Sequence, residues 1–284
     1  MEILTASSQY LAQKNVPSAG LASKLLLSKL LGCPHLELSI RYSEELPERY
    51  VSAMRRGIQR VAAGEPVQYV IGDTGFMGHT FKVDRRALIP RPETESLVEK
   101  VLADRAMWDR ESPRCILDIG TGSGCIIISL ALAVPTARNL AVDLSEEALE
   151  LARENAGLLG VSDRITFFSE DLSDVVEPES VHLVVSNPPY IPVAECEKLP
   201  VWIRDHEPYM ALDGGPDGLS VIKQVVQDAA VLLCPGGRIY LEIGETQGEQ
   251  VRRILETEGF EDIEVSKDLN QKDRIVRARI QGSD

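Results

Sequence analysis

Apolar residues repeat at two different periods along this chain, and the change of period divides it. Over residues 1–64 the spacing is helical. Leu21, Leu25, Leu26 and Leu30 share a helical face ahead of a stop at Gly32, and Val51, Met54, Ile58 and Val61 follow at steps of 3, 4 and 3 before Gly64. Pro47 stands near the start of the second helix, where a missing N–H costs little. The pattern predicts a small helical bundle, which alone is scaffold or a docking surface. Residues 66–90 lose that period. Gln68 to Ile71 and Thr80 to Val83 are short and β-prone, separated by Gly72, Gly75 and Gly78, so a hairpin or irregular linker is expected. From Arg114 onward apolar runs alternate with helical stretches. Strands are expected at Cys115 to Ile119, Leu140 to Val142, Ile165 to Phe168, Val181 to Val185, Arg238 to Ile243 and Ile263 to Val265. Near the end, Val276, Ala278 and Ile280 alternate with Arg277 and Arg279, the mark of a half-exposed strand expected at an edge. Such alternation predicts an α/β fold: a parallel sheet covered by helices on both faces.

Composition narrows the classes. The chain has 284 residues, 44% hydrophobic and 26% charged, which suits one large domain with a smaller one. Its formal charge is −14, yet residues 1–80 carry 8 Lys+Arg against 7 Asp+Glu, so a neutral front precedes an acidic body. That balance argues against binding nucleic acid through bulk charge. The longest apolar stretch, Cys125 to Val134, is far short of the ~18 residues a membrane span needs. Met1 to Gln13 lacks the form of a signal peptide. Cys33, Cys115, Cys125, Cys196 and Cys234 are scattered, without a C-x-x-C pair, so a reduced, cytoplasmic protein without a zinc site is expected.

Four stretches carry candidate chemistry. Asp118-Ile119-Gly120-Thr121-Gly122-Ser123-Gly124 follows a strand and opens a helix. Its glycines would let a ligand approach the backbone at a helix N-terminus. The third glycine comes one residue earlier than in the dinucleotide fingerprint, which disfavours a nicotinamide dehydrogenase. The charge of Asp118 suits an ammonium or sulfonium better than a pyrophosphate. Read alone, the stretch is also a plain strand–helix turn. Asp143 ends the next strand, 143 − 120 = 23 residues after Gly120, close to the ~20 expected of an acid gripping ribose hydroxyls. A helix-entry acid near Ser145 is the alternative. Asp171-Leu172 follows the third strand, placed to meet an adenine. Asn187-Pro188-Pro189-Tyr190 follows the fourth. Two prolines stiffen that backbone and remove two N–H donors, leaving the Asn187 side-chain oxygen and the Pro188 carbonyl as acceptors beside an aromatic ring. Such a turn suits a planar –NH2 group. No Ser-His-Asp order or His/Cys cluster is present, and His182 falls inside a strand. Positioning an amide nitrogen against an electrophilic methyl is therefore expected to dominate.

Taken together, Asp118 to Gly124 and Asn187 to Tyr190 resemble a class I S-adenosylmethionine-dependent N-methyltransferase. The tetrapeptide alone is shared with adenine-N6 DNA methyltransferases. Pro66-Val67-Gln68-Tyr69, Phe76-Met77-Gly78, Leu88 to Glu95, Glu207-Pro208 and Asp217-Gly218-Leu219 are similar to the peptide chain release factor glutamine methyltransferase family. The resemblance implies a Rossmann-like, mostly parallel sheet with an antiparallel C-terminal edge strand and a small N-terminal helical bundle. It implies a docking domain at 1–65, a β-hairpin linker at 66–90 and a methyltransferase domain at 91–284. The implied reaction methylates the glutamine amide of the Gly-Gly-Gln loop of release factors 1 and 2, turning S-adenosylmethionine into S-adenosylhomocysteine. Gly120, Thr121, Gly122, Ser123, Gly124, Asp118, Asp143, Asp171, Leu172 and Asn187 would hold the cofactor. Asn187, Pro188, Pro189 and Tyr190 would hold the glutamine, with Asn187, Pro188 and Tyr190 carrying catalysis. Arg91 and Glu93 would be positioners. A cytoplasmic monomer with no direct nucleic-acid or membrane partner is expected. A nucleic-acid adenine methyltransferase is the competing reading, and a nucleotide-binding module without catalysis a third.

Overall fold

The structure is a computed structural model that describes residues 2–39, 46–108, 114–169, 172–268 and 270–282. The chain forms two compact units, Met1–Asp73 with Pro200–His206, and Thr74–Leu199 with Glu207–Asp284.

The first unit is helical: α1 (Glu2–Gln13), α2 (Ala19–Leu31), α3 (Glu48–Ala62) and α4 (Val67–Ile71). Its core holds Leu11, Leu26, Leu27, Met54, Ile58 and Val61. The α3 stripe is as its period predicts. The α2 stripe is turned: Ala19, Ala22, Ser23, Leu26 and Leu27 are buried, whereas Leu21 is exposed. The leucine-rich sequence marks several faces as apolar, and small residues let α1 approach the Ala19/Ala22 side. The β-prone 68–71 segment is also a helix. Tyr69 is buried, Val67, Val70 and Ile71 pack against the same core, and Gly72 ends α4 at φ 82°. Tertiary packing outweighs the weak local preference of β-branched residues.

The second unit opens with the hairpin β1 (Asp73–Phe76) and β2 (His79–Lys82). Met77 and Gly78 both have positive φ, as a two-residue hairpin turn of the primed type requires. Phe76 and Phe81 stack edge to face, with centroids 5.9 Å apart. After α5 (Pro92–Ala103) and α6 (Arg105–Trp108) come β3 (Cys115–Ile119), α7 (Cys125–Ala133), β4 (Arg138–Val142), α8 (Glu146–Leu158), β5 (Ile165–Phe168), α9 (Leu172–Val175) and β6 (Val181–Ser186). The short α10 (Val193–Cys196) and α11 (Val201–Arg204), the latter grouped with the first unit, precede α12 (Ser220–Leu232), β7 (Leu233–Glu242), α13 (Gly248–Thr257), β8 (Phe260–Lys267) and β9 (Asp273–Ile280).

These strands form one seven-stranded sheet in the order β5-β4-β3-β6-β7-β9-β8. The first five run parallel, and β9 pairs antiparallel with both β7 and β8. The α/β class I methyltransferase fold is thus as expected. One placement differs: β9 lies between β7 and β8, and β8 is the edge. The Arg277 and Arg279 side chains that suggested solvent exposure instead pair with Glu264, Glu261 and Asp262 of β8. Side chains alternate between two cores. Leu117, Val184, Ile239 and Leu241 face one side, packed by α12 and α13, while Ile116, Leu183, Val185 and Tyr240 face the other, packed by α5 and α7. Each fully buried aliphatic side chain contributes about 1.5–3 kcal/mol, so covering both faces stabilises the sheet interior. The strand order reverses at β3, whose neighbours are β4 and β6. Open α/β sheets bind ligands outside the carboxyl ends of strands at such a reversal.

Candidate active site

The carboxyl ends of β3, β4, β6 and β7 carry the glycine turn, Asp143, the Asn187–Tyr190 turn and Glu242. At β3 the chain turns through Gly120-Thr121-Gly122-Ser123-Gly124 into α7. The Gly120 and Thr121 N–H groups donate to the Val142 carbonyl at 2.9 and 3.0 Å, which ties this turn to the end of β4. Gly124 is required by its surroundings. Its φ is 80°, and a Cβ there would meet Ile128 Cδ1 at 2.8 Å and Ala152 Cα at 3.3 Å, so α8 could not pack as closely. Over Gly120 the space is open, so a ligand can lie against the backbone.

Asp118 is wholly buried. Thr121 Oγ1 donates to its Oδ2 at 2.7 Å, and its Oδ1 has no hydrogen-bond partner among the described residues. Burial, opposed by the Thr121 hydroxyl and aided by the charge of Asp143, pushes the Asp118 carboxyl up to about 7. An ionised group so poorly compensated suits a cationic ligand beside it. The shift also has a stability consequence. A carboxyl raised from 3.8 to about 7 takes up a proton on folding between those values. The folded state therefore loses stability as pH climbs through that window, by up to about 4 kcal/mol. Asp118→Asn removes the titration. Its unfolding free energy relative to the parent is expected to grow by up to that amount from about pH 4 to about pH 8. Urea melts at both ends check this, and a difference that ignores pH would contradict it.

Asp143 follows β4. Its Oδ2 accepts the Gly122 N–H at 2.8 Å and its Oδ1 the Ser145 N–H at 2.9 Å, while Ser145 caps α8 through Ala148 N at 3.2 Å. Burial raises the Asp143 carboxyl against these two bonds. Asp143 thus supports the helix entry and the glycine turn at once, and each oxygen keeps a lone pair for a further donor. Leu144 beside it is 83% exposed, an apolar surface that sequence reasoning passed over. Leu172 is buried at the start of α9, and Asp171 lies outside the described residues.

Asn187-Pro188-Pro189-Tyr190 leaves the end of β6. Pro188 is buried, and Asn187, Pro189 and Tyr190 are half-buried. The Asn187 Nδ2 group donates to Thr94 Oγ1 at 3.1 Å. Among the described residues nothing donates to Asn187 Oδ1 or to the Pro188 carbonyl. The Tyr190 carbonyl accepts from Gln247 Nε2 at 3.0 Å, and Gln247 also donates to the Gly218 carbonyl and accepts from Gly244 N. The next residue, Ile191, exchanges backbone bonds with Leu212 and Gly214. Burial and then the charge of Glu242 push the Tyr190 phenol up to about 12, so it stays protonated at neutral pH. Arg91 Nη2 donates to the buried Glu207 at 2.5 Å, and Glu93 is exposed. Among the described residues no His/Cys/Asp/Glu group could hold a metal ion.

Sequence reasoning missed Thr94, Gln247, Glu242 and Arg274, whose Nη1 donates to the Tyr190 hydroxyl at 3.4 Å. Glu242 had a readable signal. It is an acid closing an apolar strand, as Asp118 and Asp143 are. Gln247 had none, since a glutamine before a helix is ordinary.

Comparison with known proteins shows the family of this chain. Residues 2–72 match the family described as PrmC N-terminal domain, and residues 95–199 that described as methyltransferase small domain. The release factor glutamine methyltransferase of Geobacter sulfurreducens is 38% identical over 98% of this chain and 96% of its own. That of Chlorobaculum tepidum is 39% identical over 96% and 95%. Among solved structures, the hMettl16 catalytic domain in complex with MAT2A 3′UTR hairpin 6 superposes with a TM-score of 0.55 over 82% of this chain and 83% of its own, at 15% identity, a likeness of fold. On near full-length identity to such relatives, the chain belongs to the release factor glutamine methyltransferase family.

Proposed function

We propose that this enzyme transfers a methyl group from S-adenosylmethionine to the side-chain amide nitrogen of the glutamine in the Gly-Gly-Gln loop of peptide chain release factors, leaving S-adenosylhomocysteine. The observation that carries the reading is the Asn187–Tyr190 turn, whose two acceptors have no donor among the described residues, at the strand-order reversal beside the glycine turn. Gly120, Thr121, Gly122, Ser123 and Gly124 would cradle the cofactor, with Asp118 answering its positive charge, Asp143 its ribose hydroxyls, and Leu144 and Leu172 its base. The cofactor supplies an electrophilic methyl on a positively charged sulfur.

The chain's own groups do the rest. Asn187 Oδ1 and the Pro188 carbonyl accept the two N–H bonds of the glutamine carboxamide and hold its plane. Pro189 and Tyr190 give that plane an apolar and aromatic surface. Fixing both N–H groups leaves one face of the nitrogen turned toward the methyl, and orientation of this kind can contribute about 7–11 kcal/mol. The surplus proton is lost after transfer, when the nitrogen is strongly acidic, and passes to water. Tyr190 is not its acceptor, because its phenol is itself held protonated. The helical unit would dock the release factor, in the cytoplasm where translation ends. The acidic charge and the full-length family match speak against an adenine methyltransferase.

The test is co-expression with a release factor, intact mass of that factor and peptide mapping. A single added methyl on the Gly-Gly-Gln glutamine is expected. An unmodified factor, with label on DNA instead, would end the reading.

A further inference from the structure

An asparagine can act as an acceptor only if its amide is turned the right way. The two ends of that group have nearly the same shape, and their orientation is decided by their partners. In this protein the partner at one end is Thr94 Oγ1, 3.1 Å from Asn187 Nδ2. Thr94 is the third residue of α5 and is 2% exposed. Its hydroxyl in turn donates to Glu242 Oε2 at 2.7 Å. Glu242 closes β7 and is 1% exposed. Thus α5, β7 and the end of β6 meet in a chain of two hydrogen bonds, one buried and one part-buried.

The polarity of this chain follows from the carboxylate. When ionised, Glu242 can only accept, so the single Thr94 hydroxyl proton points at it, which is the direction of the 2.7 Å bond. What Thr94 then offers Asn187 is a lone pair. The amide end facing Thr94 must be the donor, Nδ2, and Oδ1 is turned to the opposite side. The reverse orientation would set an acceptor against an acceptor inside the protein, disfavoured by roughly ten- to a hundred-fold. Burial, the largest influence, raises the Glu242 carboxyl above its ordinary range, and three other charged or titratable groups bear on it. The Arg274 guanidinium, reaching in from β9, favours its ionised form, and the Tyr190 hydroxyl donates to its Oε1 at 3.5 Å. The charge of Glu93 opposes them.

We propose that Thr94 and Glu242 are positioning residues: they lock the Asn187 amide with its oxygen outward and thereby make the site select a carboxamide over a carboxylate. The inference rests on the glutamine reading above and deepens it. A glutamate side chain has the shape of glutamine but carries acceptors at both ends. Against Asn187 Oδ1 and the Pro188 carbonyl it meets only lone pairs. A flipped Asn187 would offer it an N–H.

The experiment uses the full chain, a release factor, and the same factor with glutamate in place of the loop glutamine as a competitor. The parent enzyme is expected to methylate the glutamine form and to bind the glutamate form at least about tenfold more weakly. Thr94→Val keeps the shape and removes the hydroxyl. It should lower kcat by roughly ten- to a hundred-fold, leave the S-adenosylmethionine Kd from calorimetry unchanged, and bring the two forms to within about threefold of each other. Thr94→Ser should restore both the rate and the preference. Should Thr94→Val melt early, Glu242→Gln supplies the second variant. A neutral amide there can receive or donate at Thr94, so the preference should again narrow. A rate loss with the preference intact in both variants would show a merely structural hydroxyl and overturn this proposal alone. No methylation of the release factor by the parent enzyme would overturn the substrate reading, and this proposal with it.

Discussion

Asn187→Ala is expected to lower kcat on a release factor by at least about a thousandfold, while the S-adenosylmethionine Kd measured by calorimetry stays within about twofold. The side chain contributes one of two acceptors for the substrate amide, and Pro188 keeps the other on its backbone, beyond the reach of substitution. Losing one acceptor does more than remove a hydrogen bond. It frees the carboxamide to rotate about the remaining one, and a nitrogen that rotates presents its lone pair to the methyl only rarely. Nor does the truncation leave a charge buried or a large cavity. Thr94 Oγ1 loses the Asn187 donor, but its own proton still goes to Glu242 at 2.7 Å, so stability should fall by only about 1 kcal/mol. The separation of a large kinetic effect from small binding and stability effects is the content of the prediction. Near-parental turnover in this variant would remove the acceptor role.

The second large effect is expected from Gly218→Ala, a residue that need not touch substrate. Gly218 has φ 73°, where an L side chain is strained, and an added Cβ would fall on the Tyr190 carbonyl oxygen, 2.9 Å from Gln247 Nε2 and 3.1 Å from Pro192 Cδ. Gly214, four residues earlier, is as tightly placed, since its Cβ would lie 2.8 Å from Tyr190 Cα. The 213–218 loop is therefore pressed against the backbone of Tyr190, and Gln247 bridges the two. Backbone strain and a backbone clash together should cost about 3 kcal/mol or more, read as a lower urea midpoint. At temperatures where the variant is folded, a shift of Tyr190 should still reduce kcat by about ten- to a hundred-fold, because the Pro188 carbonyl lies only two residues upstream. A variant with parental midpoint and rate would mean that the loop yields freely.

Most of the second unit could be read from its alternating runs. A strand buried on both faces is mostly apolar, as Cys115–Ile119 and Val181–Ser186 are apart from Asp118, His182 and Ser186. The acids that end β3 and β4 were visible for the complementary reason: a charge closing an apolar run stands out. The same rule points to Glu242, yet without a glycine turn or proline pair beside it the residue reads as the end of a strand. Where the reading went astray, local pattern was ambiguous. Leu21 of α2 and the β-branched α4 segment are apolar in every conformation, and which side they turn inward depends on what packs there. The half-exposed arginines of β9 suggest an edge strand, but β8 lies beyond them with its carboxylates.

By itself the amino-acid order determined the α/β architecture and marked the glycine turn, Asp143 and the proline-stiffened turn as candidates, since apolar runs, glycines, prolines and one spacing along the chain are all written in it. Only the tertiary structure decided which way the Asn187 amide faces and what holds Tyr190. Thr94 stands 93 residues from Asn187 and 148 from Glu242, and Gln247 stands 57 from Tyr190. Hydrogen-bond partners so far apart in the chain are chosen by the packing of helices on a sheet, and no local period records that choice.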